Sequence, residues 1–111
     1  KATNLHSVWD TALLQSEDQS IQDYTVELLA LSAGNVAIWQ AAAPEVWVQE
    51  SLDVRPEVYS YPAPKWGAKA RLSDSYMTVS KEIIDIRLAQ AGVRLAGELN
   101  AIWCPAGLLE P

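Results

Sequence analysis

Apolar positions along this chain recur at intervals of three and four residues. Leu5, Val8, Trp9, Ala12 and Leu13 follow the i, i+3, i+4, i+7, i+8 rule for one apolar face. They predict a first helix from about Leu5 to Leu14, with Thr3 or Asn4 at its N-cap. Gln15 to Gln19 is polar and reads as a connector. Ser20, with Asp23 three residues on, predicts the start of a second helix whose buried face carries Ile21, Tyr24, Leu28 and Leu31. Gly34 is placed to end it. Val36–Ala42 predicts a short helical piece, and Pro44 suits the first turn of a third helix, Glu45 to about Val54, burying Trp47 and Val48. Pro56, Pro62 and Pro64 then interrupt regular structure, predicting a loop from about Ser60 to Arg71.

The longest periodic signal comes last. Ser73 or Asp74 can cap a helix in which Ile84, Leu88, Ala91, Leu95, Leu99 and Ile102 repeat at helical spacing, widened at its start by Tyr76, Val79, Ile83 and Ile86. Gly92 and Gly97 weaken it locally and leave room for a neighbouring helix, and Pro105 stops it. Short connectors between such helices predict an all-α, bundle-like fold over residues 1–111.

Composition narrows the function classes. The chain has 111 residues, half of them hydrophobic and a fifth charged, which is globular rather than disordered. Its net charge of −6 has the wrong sign for a protein that grips phosphates with Lys and Arg alone. A metalloenzyme is still open, because bound cations supply positive charge. No stretch approaches the ~20 apolar residues of a membrane span, and the start lacks a signal-peptide layout. The chain opens on Lys1, so further residues are expected before it. Cys104 is the only cysteine, makes no internal disulfide, and is expected to be semi-buried.

Chemistry has few carriers here. His6 and Asp10, four apart on the first helix, project from one side about one turn apart, at the border of its apolar face beside Trp9 and Leu13. Imidazole nitrogen and carboxylate oxygen are both zinc donors, and an i, i+4 pair can reach one ion; the same spacing suits a surface ion pair. Trp9, Trp39, Trp47 and Trp103 are expected in the core. Trp66, in a Pro/Gly loop beside Lys65 and Lys69, fits base stacking as well as packing. Arg87 and Arg94 are expected to be solvated or paired, and Glu50 and Ser51 to make a helix-packing hydrogen bond. His6 is the single histidine, there is no Gly-rich phosphate loop, and no nucleophile elbow occurs.

Three segments, in this order, resemble the S1/P1 nuclease family, which includes the plant bifunctional nucleases. Thr3-Asn4-Leu5-His6-Ser7-Val8-Trp9-Asp10 is similar to the family's T-N-L-H-x-x-W-D. Trp47-Val48-Gln49-Glu50-Ser51 is similar to W-A-x-E-S, with Tyr59 matching a following tyrosine. Arg87 to Ala96, with Leu99-Asn100, is similar to R-L-A-Q-A-G-x-R-L-A-x-x-L-N. The resemblance implies an exported (secreted or periplasmic), all-helical hydrolase with three clustered zinc ions, related in architecture to zinc-dependent phospholipases C. Such enzymes cut single-stranded DNA and RNA and act as 3′-nucleotidases. His6 and Asp10 match two ligands of one zinc, so this chain would carry at most one partial site and no catalytic residue of its own.

In the family, an N-terminal Trp ligand, a His-rich run and an acidic water-activating residue all precede the part matched here. The chain is therefore expected to be the C-terminal helical part of a nuclease domain, inactive alone. An upstream segment or companion chain would complete the metal cluster and cover Leu5, Trp9 or the Leu88–Leu95 stripe. Two rival readings remain: a catalytically inactive helical interaction or scaffold module, and a phospholipase C-like hydrolase.

Overall fold

The computed structural model describes residues 4–104, and every regular element among them is helical. A first rod consists of α1 (Leu5–Ser7), a π-helical segment (Val8–Ala12) and α2 (Leu13–Gln15). It is followed by α3 (Ile21–Ser32), α4 (Val36–Ala41), α5 (Pro44–Asp53), α6 (Arg55–Val58) and α7 (Asp74–Trp103).

The predicted boundaries follow from local chemistry. Asn4 Oδ1 accepts the Ser7 amide at 2.8 Å, capping the first rod. Ser20 Oγ accepts the Asp23 amide at 3.1 Å and Ser73 Oγ accepts that of Tyr76 at 3.1 Å. Pro44 occupies the first turn of α5, and Gly34, at φ +80°, lets the chain leave α3. Thr3 and Pro105, the other expected cap and stop, lie outside the described residues. Cys104 is exposed rather than semi-buried.

Helix α7 is the spine, with α2, α3, α4 and α6 packed along it. Its buried face follows the expected stripe only in the first half, where Tyr76 is buried and Ile83 and Ile84 are half-buried. Ser80, Ala89, Gln90, Val93 and Arg94 also turn inward, whereas Leu88, Leu95, Leu99 and Ile102 face out, Leu95 at 60% exposure. Ile21, 88% exposed, and Val48 also lie outside, as does Trp103. The reason is that the inward side of α7 packs through specific polar contacts and close backbone approach, which hydrophobic periodicity does not report. A Cβ on Gly97 would sit 2.9 Å from Gln40 Cγ, so α4 approaches α7 closely here. Gln40 Nε2 donates to the Val93 carbonyl at 3.0 Å. Gly92 has open space around it and plays no such part. The radius of gyration, 17.7 Å, exceeds the ~13 Å of a compact globule of this length. The fold is a helical layer with an uncovered apolar face.

Further ties hold α2 and α3 to the spine. The Tyr24 hydroxyl donates to Asp85 Oδ1, and Lys81 Nζ lies 2.8 Å from Glu17 Oε1. Burial and the Asp85 carboxylate push the Tyr24 phenol well above its ordinary range.

Between α5 and α7 sits a single carboxylate flanked by two guanidiniums. Glu50 accepts Arg94 NH1 and NH2 at 2.8 and 2.9 Å as a bidentate pair, and Arg87 NH1 at 2.7 Å. Arg87 also donates to Gln90 Oε1 (2.6 Å), Ser51 Oγ (2.8 Å) and the Trp47 carbonyl (3.1 Å). Arg94, 5% exposed, lies over the Trp47 ring at 5.2 Å. Two of the three resembling segments thus meet in one network, and both arginines are paired across helices with Glu50. Hydrogen bonding from Arg94, reinforced by Arg87, holds the Glu50 carboxyl below its ordinary range despite its burial. A carboxyl depressed on folding stabilises the fold above its unfolded titration range and loses that contribution as pH falls through its folded value. Glu50→Gln should therefore cost about 3 kcal/mol at neutral pH by leaving Arg94 without its counter-charge. The deficit should shrink in acid. Equal urea midpoints for the two proteins at pH 7 would contradict the clamp.

Candidate metal centre

The candidate ligands lie on the first rod. The Leu13 amide bonds to the Val8 carbonyl, an i→i+5 link that widens the helix through the π segment. Five-residue registry brings Val8 and Leu13 onto one side, where both are buried, Leu13 completely. The opposite side is left to His6 and Asp10. His6 Nε2 is 2.8 Å from Asp10 Oδ2, so the predicted pair does meet. Their side chains are 82% and 58% exposed. They do not sit against an apolar wall at the border of the packed face, because the π turn rotates that face towards Val8 and Leu13.

What fixes the pair is its neighbour. Trp9 Nε1 donates to the Tyr76 hydroxyl at 3.1 Å, and that hydroxyl donates to the Val58 carbonyl at 2.7 Å. Tyr61 meets the Tyr76 ring edge-to-face at 6.0 Å. One phenol therefore joins the π segment, the end of α6 and the start of α7. Sequence patterning placed Tyr76 only on a widened apolar stripe; its one distinguishing signal was a hydroxyl at a position otherwise suited to Leu or Ile.

The donor set fits zinc. Zn–N and Zn–O bonds of about 2.0–2.1 Å put two tetrahedral donors roughly 3.3 Å apart. Two exposed side chains reach that separation from 2.8 Å by small torsional changes. Among the described residues, no third His, Cys, Asp or Glu joins them. The pair supplies two donors and no more.

The S1/P1 Nuclease family model matches residues 1–103. This chain belongs to the S1/P1 nuclease family. Its similarity extends to Endonuclease 4 of Arabidopsis thaliana, 31% identical over 93% of this chain and 38% of the relative. Endonuclease 3 of the same plant is 31% identical over 91% and 38%, and Endonuclease 2 is 27% identical over 93% and 39%. The chain thus spans less than two-fifths of the length of these relatives. No solved structure matches it. For an S1/P1 nuclease chain the first and second resembling segments have separate jobs here: one presents an exposed donor pair, the other locks α5 to α7.

The Trp9–Tyr76 link can be tested directly. Tyr76→Phe keeps the ring and removes both hydrogen bonds, which should cost about 1–3 kcal/mol. The Trp9 indole proton should then exchange with solvent markedly faster by NMR. Unchanged indole exchange would mean that Trp9 is held by packing alone.

Proposed function

We propose that this chain is part of a zinc-dependent nuclease that hydrolyses phosphodiester bonds of single-stranded DNA and RNA and acts as a 3′-nucleotidase. His6 and Asp10 are two protein ligands of one zinc in its cluster. The observation that carries this reading is the convergence of His6 Nε2 and Asp10 Oδ2 on the solvent side of a helix whose other side is pinned down. A catalytic zinc takes three protein ligands, so the rest of the protein supplies those that this chain lacks. The endonucleases it resembles are more than twice its length, which leaves ample chain to do so.

His6 and Asp10 would hold a zinc ion there, whose chemistry would be to polarise a water and phosphate oxygens. The residues of this chain hold and orient. Metal ligands bind deprotonated, so His6 would offer an imidazole nitrogen and Asp10 a carboxylate oxygen. Trp9, beside Asp10, fixes the turn through Tyr76. Two ligands on an acidic chain do not align a nucleophile, a neutralised phosphate and a leaving oxygen, so the chain alone should not cleave DNA even with zinc added.

In the full-length protein, Asp10→Ala should lower the zinc content and reduce cleavage of single-stranded DNA by more than about 100-fold, beyond the usual effect of losing a supporting residue. Calorimetry on this chain should show weak zinc binding that is absent in His6→Ala and fades in acid. Full zinc content with undiminished cleavage in Asp10→Ala would remove the pair from the site.

A further inference from the structure

The loop between α6 and α7 breaks the chain's charge balance. Lys65, Lys69 and Arg71 fall within seven residues, and no acidic residue occurs between Glu57 and Asp74. The rest of the chain sets five Lys and Arg against 14 Asp and Glu. All three cations are exposed, and among the described residues none pairs with a carboxylate. In their midst stands Trp66, 105% exposed.

The presentation of Trp66 has a structural cause. The Ala68 amide bonds to the Lys65 carbonyl at 2.8 Å, closing a β-turn with Trp66 and Gly67 at its corners. Gly67, at φ +77°, takes the left-handed conformation that a type II turn needs at its third residue. Trp66 is thereby held at the apex, with a cation on the turn residue before it and two more within five residues after it. An indole that packs on nothing in this chain, flanked by cations without a carboxylate partner among the described residues, has the two parts of a single-strand contact: a stacking platform for a base and charges for the backbone.

The loop is also tied to the candidate metal centre. Ser60 and Ser73, near its two ends, line one cavity with Tyr76. Tyr61 packs against Tyr76, which accepts the indole of Trp9 next to Asp10. Five residues from Tyr61 to Trp66 span at most about 17 Å. The Trp66 turn is thereby tethered to the junction that holds Trp9.

We infer that loop 61–71 is a second contact for single-stranded nucleic acid, with Trp66 stacking on a base and Lys65, Lys69 and Arg71 meeting phosphates. This rests on the nuclease reading above, because the same indole and cations would also suit an anionic membrane surface; the tie to the Tyr76 junction favours the nucleic acid.

The test uses the full-length protein and a labelled 20-nucleotide oligothymidylate with non-hydrolysable phosphorothioate links, read by fluorescence anisotropy. Trp66→Ala should raise Kd by about 5- to 100-fold, and Trp66→Phe should recover much of the loss, as expected for base–aromatic stacking. The triple variant K65Q/K69Q/R71Q should reduce the slope of log Kd against log salt by about 2, three phosphate contacts at roughly 0.7 each. Unchanged Kd in Trp66→Ala, or an unchanged slope in the triple variant, overturns the inference. So does binding to phosphatidylserine vesicles that depends on Trp66 while oligothymidylate binding does not. Failure of wild type to hydrolyse an unmodified oligonucleotide would count against the nuclease reading and leave the anisotropy result to judge the loop separately.

Discussion

Glu50 is the constraint on which the arrangement of α5 against α7 rests. Its carboxylate receives three donor nitrogens from Arg87 and Arg94, both of which project from α7. Both guanidiniums also reach back to backbone, Arg87 to the Trp47 carbonyl and Arg94 Nε to that of Trp39 at 3.3 Å. The register of α4 and α5 on the spine is thus set by directional bonds. An apolar interface of the same area would tolerate sliding or rotation; a bidentate pair does not. That explains how a layer with few buried apolar side chains holds one geometry. It also explains why Arg94, among the least exposed residues, can be charged at all: its counter-charge and the Trp47 ring replace the water it loses.

Element limits were readable wherever local chemistry decides them. Asn4, Ser20 and Ser73 cap as side-chain hydroxyls and amides do, Gly34 takes a positive φ, and the prolines keep residues 59–73 out of regular helix. The facing of α7 was not readable, because its two candidate faces compete. One is rich in leucine and isoleucine; the other mixes Ala, Ser, Gln, Val and Arg. Periodicity favours the first, whereas close approach at Gly97 and the Glu50 clamp select the second. The short α6 after Asp53 was hidden by Pro56, which starts a helical turn as readily as it ends one.

The donor pair shows the same division. Spacing alone brought His6 and Asp10 together, and the 2.8 Å contact agrees. Their surroundings depended on the π turn, which α-helical spacing cannot express. The trace it left was Val8 and Leu13, five apart and both apolar, a pair that an α-helical wheel sets about 140° apart, at the two edges of the predicted face. Because the packed side shifted, the donors moved into solvent, and Trp9 became the residue that ties their turn to the rest.

The charge pattern gains a physical logic from that placement. An acidic surface lowers the local concentration of a polyanion and slows its approach. A protein of this sign can still bind one where cations are gathered on a single exposed segment, since screening at physiological salt confines each charge's influence to about 8 Å. Loop 61–71 gathers three such charges beside one exposed indole, with no acidic residue between Glu57 and Asp74. Tyr61 joins the start of this segment to Tyr76, and Tyr76 also holds Trp9, so the basic stretch and the turn that carries the donor pair hang from one junction.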